Sequence, residues 1–411
     1  MAARMVVISP ARHCATGNEV RTMPPTRNSC RILALAPNRW DGQWMNRQQL
    51  LSRIARKHPV LYSTGPWSIW DRVRDTFRTV PVRGAFLPRD VVMVDDPPRW
   101  LLRWPTHPRY DSAVIRAAQK RWRRHLDRVG QGPLIAYLFH PRYLDLVPRL
   151  GADRIIYHPY DLFRRMPDWS TDLARLEARL LEISDAVIAT SEATRDALAQ
   201  ETSRPVHCIP NGVDADLFIG SRTADDAFPG IARPRIGYVG SINRKVDIEL
   251  VVQLAHREPD WQFILMGPRG NLDETTTQAL SEAGSLPNVH LVGARARQEL
   301  PACMRSLDVS LMCYRRGTWM ESAYPLKLHE YLASGPPVVS SDLPSVRPFG
   351  DVVAIARTAD DWHASITAAL RDGTPGTPAA RLAVAAANTW DERVNQVLRI
   401  LDGLAGTLAS T

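Results

Sequence analysis

Lysine is scarce in this 411-residue sequence, and several patterns that would assign a function are missing. Only four of the 52 basic residues are lysines, at Lys57, Lys120, Lys245 and Lys327. No run approaches the roughly 20 apolar residues of a membrane-spanning helix, and no Gly-x-Gly-x-x-Gly dinucleotide fingerprint occurs. The five cysteines are odd in number and none has metal-ligand spacing. We therefore expect no disulfide framework, no zinc site and a reducing compartment.

Length and composition are typical of a globular protein in water. Hydrophobic residues make up 45% of the chain and charged residues 23%, which is an ordinary balance. At roughly 100–200 residues per domain, the length favours two or three domains. The first apolar stretch is too short to predict a secretory signal. Residues 1–30 are polar and aperiodic, and we expect a loose N-terminal extension there.

Charge is divided unevenly along the chain. Residues 1–210 contain 33 basic and 20 acidic side chains, whereas residues 211–411 contain 19 and 23. The first half therefore carries a net charge of +13 and the second half −4, which together give the formal charge of +9. Such asymmetry predicts an acidic partner for the first half.

Strand-like and helix-like segments alternate from residue 31 onward. Predicted strands lie at 31–37, 60–63, 91–95, 134–139, 154–157, 186–190, 207–210, 235–240, 261–267, 289–292, 309–314, 337–340 and 352–355. Predicted helices lie at 44–57, 111–129, 172–184, 192–200, 247–257, 275–283, 298–307, 326–333, 359–370, 379–388 and 390–404. This alternation predicts doubly wound α/β domains with parallel sheets. An Asn-Gly turn at 211–212 and the polar stretch after it indicate a domain boundary. We expect one domain at 31–212, a second at 213–385 and a terminal helical segment at 386–411.

The most informative segment runs Pro-Leu-Lys-Leu-His-Glu-Tyr-Leu-Ala-Ser-Gly from Pro325 to Gly335. Proline suits the first turn of a helix, and glycine commonly ends one. The unpaired N–H groups and the dipole at a helix start attract phosphate, and Lys327 adds a cation in that turn. Glu330 lies one turn further on, where its carboxylate can accept hydrogen bonds from two ribose hydroxyls. The segment therefore predicts a pocket for a nucleotide diphosphate.

A second basic element follows the first strand of the second half. Gly240 and Ser241 form a turn there, and Arg244 and Lys245 stand at the start of the next helix. Glycine lets the backbone approach a ligand closely. Arginine can grip phosphate through two hydrogen bonds, and lysine acts as a point charge. Gly267 ends the next strand, and ligands bind at the carboxyl ends of parallel strands. We expect all five residues to line the donor pocket.

The 325–335 helix and the Pro-Pro-Val-Val that follows it resemble the donor-site element of retaining GT-B glycosyltransferases. The resemblance is to family 4, or glycosyltransferase group 1, of the type that acts in bacterial polysaccharide biosynthesis. The Pro-Asn-Gly-Val-Asp string at 210–214 is similar to the segment that ends the first domain in this family. The resemblance implies a GT-B fold, in which two Rossmann-like domains face each other across a cleft and the last helix crosses back to the first domain.

The sequence departs from the family pattern at one position. Many members carry a second glutamate eight residues before the ribose-binding one, and here that position is Ser322, with Glu321 beside it. The departure weakens any expectation of a paired-carboxylate site. Glu321 could reach the donor sugar only through a shifted loop.

Two strands of the first half end in residues suited to sugar binding. His158 and Asp161 follow the strand at 154–157, where related enzymes have a Tyr-x-x-x-Asp string. We expect these two residues to be catalytic or to contact the sugars. His140, at the end of the 134–139 strand, is a rival for this role. For either histidine the alternative is an ordinary packed or solvated side chain.

Basic residues and tryptophans are interleaved at 99–128, where nine basic and two acidic side chains occur. The pattern suits an anionic membrane surface, single-stranded nucleic acid or a solvated helix with tryptophan in the core. We favour the membrane and expect no nucleic-acid partner. The predicted surface residues are Trp100, Trp104, Trp122, Arg121, Arg123 and Arg124.

The sequence thus predicts a hexosyltransferase-type glycosyltransferase. It would move a sugar from a nucleotide diphosphate sugar, its co-substrate, to a hydroxyl of a glycan acceptor that is lipid-linked. We expect no other cofactor and no metal, because cationic side chains and a helix start would neutralise the leaving diphosphate. We expect a cytoplasmic protein, peripheral on the inner face of the plasma membrane. The alternatives are a GT-B nucleotide-sugar 2-epimerase and a catalytically silent partner subunit.

Overall fold

The computed structural model describes residues 29–73, 77, 80, 82–167, 169–220, 226–317 and 319–409. The predicted extension at 1–30 therefore lies outside the described residues except for Ser29 and Cys30, which are both buried. Part of the polar stretch expected at the domain boundary, 221–225, also lies outside them.

An eight-stranded sheet forms the first half of the chain. Its strands, in sequence order, are β1 (Arg31–Leu35), β2 (Val60–Ser63), β4 (Ala85–Arg89), β5 (Val92–Asp96), β7 (Leu134–Leu138), β8 (Arg154–Tyr157), β9 (Ala186–Ala189) and β10 (Val206–Cys208). The spatial order is β10-β9-β8-β7-β1-β2-β5-β4, and all neighbours are parallel except β4, which runs antiparallel to β5. Two further segments, β3 (Trp67–Ser68) and β6 (Leu102–Arg103), pair with each other as a small parallel sheet.

Helices cover both faces of this sheet. Successive residues of a strand point to opposite faces, and the apolar side chains on each face pack against helices. The helices are α1 (Asn46–Ile54), α2 (Pro108–Val129), α3 (Thr171–Ile183) and α4 (Glu192–Ala199). Ile32 and Ala34 of β1 pack in one core cluster with α1, and Leu33 and Leu35 pack in another with α2, α3 and α4. A sheet buried on both faces explains why the strands are continuously apolar.

A six-stranded parallel sheet forms the second half. Its strands are β11 (Arg235–Val239), β12 (Gln262–Met266), β13 (Val289–Gly293), β14 (Val309–Met312), β15 (Val338–Ser341) and β16 (Val353–Ala356), in the spatial order β13-β12-β11-β14-β15-β16. The helices of this half are α5 (Ala215–Phe218), α6 (Ile248–Arg257), α7 (Glu274–Ala283), α8 (Leu300–Arg305), α9 (Lys327–Ser334), α10 (Ala359–Asp372) and α11 (Pro378–Ala386). The predicted doubly wound architecture is confirmed.

The chain crosses between the two halves twice, and the crossings lie side by side. The Val213 N–H donates to the Asn388 carbonyl at 2.9 Å, and the Trp390 N–H donates to the Val213 carbonyl at 2.9 Å. The last helix, α12 (Trp390–Ala409), then returns to the first sheet, where Trp390 and Val397 are buried in the same cluster as α1. In the part of the chain that the structure describes, no helix combines the length and apolarity needed to cross a membrane.

One predicted helix is wrong in detail, and three strands were not predicted. The helix predicted at 298–307 is a 3₁₀ turn at Arg297–Glu299 followed by the short helix α8. Three strands, β3, β4 and β6, were not predicted. β4 contains Pro88, which a sheet tolerates because this is an edge strand. β3 and β6 have two residues each, too few to show any alternation.

Candidate functional site

Lys327 lies directly over Gly240 at the carboxyl end of β11. A Cβ atom added to Gly240, whose φ is +155°, would overlap the Cε and Nζ atoms of Lys327. The Lys327 ammonium also lies 5.4 Å from the centre of the Tyr238 ring. Only glycine leaves room for this arrangement, so two predicted donor-site residues, 87 positions apart in the chain, do come together.

The loop around Gly240 is held in place by backbone contacts. The Gly240 N–H donates to the Met266 carbonyl at 2.7 Å, and Gly267 packs so closely that a Cβ there would overlap the Gly240 carbonyl. The Ser241 carbonyl accepts a hydrogen bond from the Tyr238 hydroxyl at 3.1 Å. The ends of β11 and β12 thus form one rigid turn, with Gly240, Ser241 and Gly267 on it.

Helix α9 is fixed to the same strand end by Tyr331. The Val239 N–H donates to the Tyr331 hydroxyl at 2.7 Å, and Tyr331 is fully buried. Because Tyr331 follows Glu330, this bond orients the first turn of the helix toward the Gly240 loop. The predicted phosphate-binding helix start and the predicted glycine turn therefore lie side by side at the carboxyl end of β11.

Lys327 and Glu330 face each other in a poorly solvated pocket. Burial lowers the pKa of Lys327, although the Glu330 carboxylate opposes this effect. Burial likewise raises the pKa of Glu330 from 4.5 to about 7, against the opposing effects of Lys327 and Arg297. The Glu330 carboxylate accepts no hydrogen bond from the described residues, so its oxygens are available to a ligand. Hydrogen bonds from hydroxyl groups of a ligand would favour the ionised form of this carboxylate and offset the cost of its burial.

Arg244 and Lys245 converge on Trp319, which the sequence reasoning missed. The Lys245 ammonium lies 3.8 Å from the centre of the Trp319 ring, and the Arg244 Cζ lies 5.4 Å from it. The Lys245 ammonium also lies 3.6 Å from an Asp161 carboxylate oxygen. Asp161 belongs to the first half and Lys245 to the second, so this pair bridges the cleft. Trp319 follows β14 at the same edge of the sheet, and this position could have identified it from sequence as a candidate site residue.

Position 322 serves the contact between the two halves. The Ser322 carbonyl accepts hydrogen bonds from the Ser191 hydroxyl at 2.6 Å and the Thr194 hydroxyl at 3.1 Å. Its own hydroxyl donates to the Trp319 carbonyl at 2.9 Å. The neighbouring Glu321 is exposed. The residue that departs from the family pattern is therefore buried within the structure rather than lining a sugar site.

The two candidate histidines differ in access. His158 is fully buried, its Nδ1 lies 2.7 Å from the Tyr137 hydroxyl, and burial lowers its pKa to about 3. No atom of His158 is exposed in this conformation and its Nδ1 is paired with Tyr137, so the structure does not support the expected direct contact. His140 is partly exposed, and burial together with Arg142 lowers its pKa to about 4. Its Nδ1 accepts from the Arg142 N–H at 3.1 Å, so its Nε2 carries the proton and can donate.

The predicted membrane surface needs a larger correction. Trp122 is in the core, where its indole N–H donates to Asp95 at 2.7 Å. Arg121 pairs with the same carboxylate at 2.8 Å, and Arg123 donates to the Gly151 carbonyl at 2.9 Å. Arg124 is exposed, as expected. The signal for the core was present, because Trp122 belongs to a buried row with four-residue spacing, Val114, Ala118, Trp122 and Leu126.

Trp100 and Trp104 do lie on the surface, with relative exposures of 58% and 41%. Trp70, which was not predicted, is 70% exposed. Trp70 and Trp104 follow the paired strands β3 and β6, and the carboxyl ends of parallel strands share one edge. Trp70 and Trp104 therefore follow the same edge of this small sheet.

Comparison with known families agrees with this geometry. Residues 76–217 match the family described as Glycosyltransferase Family 4, and residues 233–372 match the family described as Glycosyl transferases group 1. The two matches together span more than half of the chain. The chain belongs to the group 1 glycosyltransferases. Members of this group transfer sugars, and the resemblance carried by the helix at 325–335 is confirmed.

One curated relative of this group 1 glycosyltransferase is TuaH of Bacillus subtilis, which is described as a glycosyltransferase of teichuronic acid biosynthesis. It is 30% identical over 174 residues, which cover 41% of this chain and 43% of the relative. The aligned part therefore spans less than half the length of TuaH.

Solved structures with the same fold include HepE of Anabaena in complex with UDP and glucose. It has a TM-score of 0.67 and 16% identity, covering 91% of this chain and 99% of that one. Sucrose-phosphate synthase of Thermosynechococcus elongatus has a TM-score of 0.67 and 17% identity, covering 93% and 100%. These similarities confirm the GT-B fold predicted for this group 1 glycosyltransferase.

Proposed function

We propose that this group 1 glycosyltransferase moves a sugar from a nucleotide diphosphate sugar to a hydroxyl of a lipid-linked glycan in cell-surface polysaccharide synthesis. The observation that carries the proposal is that Lys327 lies over Gly240 at the carboxyl end of β11, with Glu330 close enough to interact with its charge. UDP is bound in the HepE structures that share this fold. TuaH, a relative over part of its length, is described as acting in the synthesis of such a polysaccharide.

In this proposal each side of the donor pocket has a separate task. Lys327, Lys245 and Arg244 bind the diphosphate and stabilise the negative charge that develops on it as the sugar departs. Glu330 accepts hydrogen bonds from the ribose hydroxyls. Because these three side chains would supply the positive charge, we propose that the reaction needs no metal and no other cofactor. Retention of configuration at the sugar is proposed from the family resemblance.

The first half would hold the sugar side of the cleft. Asp161 lies opposite Lys245, at the edge where the transferred sugar must pass. His140, neutral and with its Nε2–H available, can donate to a sugar hydroxyl. His158 orients the strand end from beneath, through its contact with Tyr137.

We also propose that the first half docks on an anionic membrane surface, peripheral on the inner face of the plasma membrane. Helix α2 carries a stripe of exposed basic residues with near-helical spacing, at Arg109, Arg116, Lys120, Arg124 and Arg128. The exposed indoles of Trp70, Trp100 and Trp104 lie before or near the start of this helix. Each basic side chain near such a surface contributes about 1 kcal/mol, and salt screens the attraction.

A vesicle assay tests the docking. Sedimentation with vesicles that contain anionic lipid should fall at high salt, and a variant with Arg116, Lys120 and Arg124 changed to Gln should bind more weakly. A matched control changes three exposed arginines of α6, α10 and α12, Arg257, Arg371 and Arg399, to Gln. Equal loss in both variants would mean that only net charge matters, and the absence of any sedimentation would end the membrane proposal.

Release of nucleotide diphosphate tests the transferase activity. The protein should be protected from thermal unfolding by one nucleotide diphosphate, UDP or GDP, and should release it from the matching sugar nucleotide only when an acceptor glycan is present. Conversion of the sugar nucleotide to its 2-epimer would indicate the epimerase instead. Binding of the nucleotide without turnover of any sugar nucleotide, with acceptor glycans present, would indicate the silent partner subunit.

A further inference from the structure

Arg47 is a buried cation without a counter-charge. It lies in the first turn of α1, on the helix that follows the central strand β1, and it is 1% exposed. Within the described part of the chain, its Nε and Nη1 atoms have no hydrogen-bond partner, and no carboxylate lies within ion-pair distance. Buried guanidinium groups are almost always paired, so this one needs an explanation.

Arg53, on the same helix, shows what a structural arginine looks like. Its guanidinium lies 3.3 Å from the Asp214 carboxylate and 3.3 Å from the Asp391 carboxylate. It also donates to the Gln49 side chain at 2.8 Å. Arg53 is therefore compensated by groups of this chain, and Arg47, two turns earlier, is not.

The groups around Arg47 do not supply the missing charge. Its Cζ lies 5.0 Å from the centre of the Tyr160 ring, and a ring face recovers only part of the hydration that a buried guanidinium loses. Burial raises the pKa values of Tyr62, Tyr143 and Tyr160, and the Arg47 guanidinium opposes the rise, at Tyr62 also through a side-chain hydrogen bond. These phenols are therefore neutral. Two of their protons are already donated to carbonyls, from Tyr62 to Asn38 at 2.5 Å and from Tyr143 to Thr64 at 3.1 Å.

The position of Arg47 connects it to the substrate cleft. The elements around it begin or end at the carboxyl edge of β1, β2, β7 and β8, which are neighbours in the sheet. Tyr160 is followed by Asp161, whose carboxylate lies across the cleft from Lys245. Asp161 is therefore committed to another cation. The exposed Arg142 adds positive charge beside Tyr143, with its Cζ 5.4 Å from that ring.

We propose that Arg47 binds an anionic oxygen group, a carboxylate or a phosphate, on the acceptor saccharide. A planar guanidinium can bind either group through two parallel hydrogen bonds. The acceptor is the partner on this side, because the nucleotide pocket lies in the other half. This inference rests on the proposed transferase function and assigns it a substrate class, an acidic acceptor.

Thermal unfolding with UDP at saturation tests the site, because UDP then fills the diphosphate pocket, the other place where cations gather. Glucuronate and glucose 6-phosphate are titrated separately as probes, with glucose as the uncharged control and chloride to match ionic strength. At least one acid should raise the unfolding midpoint and glucose should not. Whichever acid acts identifies carboxylate or phosphate.

Arg47→Met removes the charge and keeps the length of the side chain. Because an uncompensated buried charge is lost, its midpoint without probe should equal or exceed that of the wild type. Its affinity for the acid should fall by about tenfold to a hundredfold, the range for a charged hydrogen-bonded group. Arg53→Met, the matched control, should lower the midpoint because the Asp391 carboxylate loses its partner and the Asp214 carboxylate keeps only Arg297.

The outcomes separate the two proposals. If neither acid acts on the wild type, if Arg47→Met responds as the wild type does, or if Arg47→Met lowers the midpoint sharply, Arg47 is structural and the inference is overturned. Arg47→Lys, which keeps the charge, should retain part of the response to the acid, and a lysine variant with no response would count against the inference. If neither UDP nor GDP binds to any variant, the proposed function fails, and the titrations without nucleotide still report on Arg47. Arg47 could instead bind an acidic donor sugar. In that case the wild type should prefer UDP-glucuronate to UDP-glucose, and Arg47→Met should abolish the preference. Such a result would overturn the assignment to the acceptor.

Discussion

Replacing Glu330 with Gln should stabilise the ligand-free protein while weakening nucleotide binding. Burial raises the pKa of Glu330 from 4.5 to about 7. Between these two pH values the folded protein keeps a proton on Glu330 that the unfolded chain has released. Stability must therefore fall as the pH rises from about 4.5 to about 7, and the full deficit is present above that range. The amide side chain of the Glu330→Gln variant is neutral at every pH and would not carry this deficit.

The size of the effect follows from the same pKa difference. A difference between 4.5 and about 7 corresponds to about 3 kcal/mol. Because Glu330 is half-buried, solvent screening reduces this figure to about 1–2 kcal/mol. At pH 8 the unfolding midpoint of Glu330→Gln should therefore exceed that of the wild type by a few degrees, and at pH 4.5 the two should coincide. Nucleotide affinity should move the other way, with a loss of about 1.5–3 kcal/mol for hydrogen bonds to a charged group.

Thermal unfolding across pH and calorimetric titration with UDP measure both effects on the same samples. Glu321→Gln is the matched control, since it removes one negative charge from an exposed position nearby and should change neither the pH profile nor UDP affinity. A 2′,3′-dideoxy nucleotide should lose most of its affinity for the wild type and little more for the variant. If Glu330→Gln were less stable at pH 8 and bound UDP as the wild type does, the carboxylate would be structural and the reasoning refuted.

Three further substitutions probe the same cleft. Gly240→Ala should weaken UDP binding at least tenfold by calorimetry, because the new Cβ displaces Lys327 and φ at +155° adds about 1–3 kcal/mol of strain; unchanged binding would contradict the packing. Lys327→Met should lower turnover by about 10²–10³-fold and alter the donor Michaelis constant less, since charge develops in the transition state; a change in the Michaelis constant alone would limit Lys327 to ground-state binding. Asp161→Asn should raise UDP affinity by releasing Lys245, as calorimetry would detect, yet lower turnover; full turnover would remove Asp161 from the reaction.

The second half of the site could be predicted from sequence because its parts are local. Lys327 and Glu330 are one helical turn apart, and Gly240 ends a strand whose apolar pattern is clear. Parallel strands bring their carboxyl ends to one edge, so the two motifs had to meet. What the sequence could not show is that Lys327 lies over Gly240 itself, because that contact depends on the Tyr331 bond to β11.

The first half of the site could not be predicted, because its residues acquire meaning only from partners far away in the chain. In the sequence, Arg121 and Trp122 of α2 suggest an exposed basic surface. In the structure both side chains bind Asp95 of strand β5. Arg47 gave no signal at all, since a basic residue among glutamines at a helix start is usually solvated. Arg47 stands out because its guanidinium is buried and no carboxylate of the described residues pairs with it. Only the packed structure shows this.

Position 322 and Arg47 together describe the charge at the sugar end of the cleft. The Ser322 backbone joins the two halves through Ser191 and Thr194, and its side chain is 1% exposed. A glutamate there would have to bury its carboxylate among groups that are already hydrogen-bonded, at a cost of several kcal/mol. Position 322 therefore contributes no carboxylate to the sugar site. Asp161 is matched to Lys245, whereas the buried guanidinium of Arg47 has no carboxylate partner among the described residues. A cleft with a net positive charge at its sugar end favours the binding of an acidic sugar.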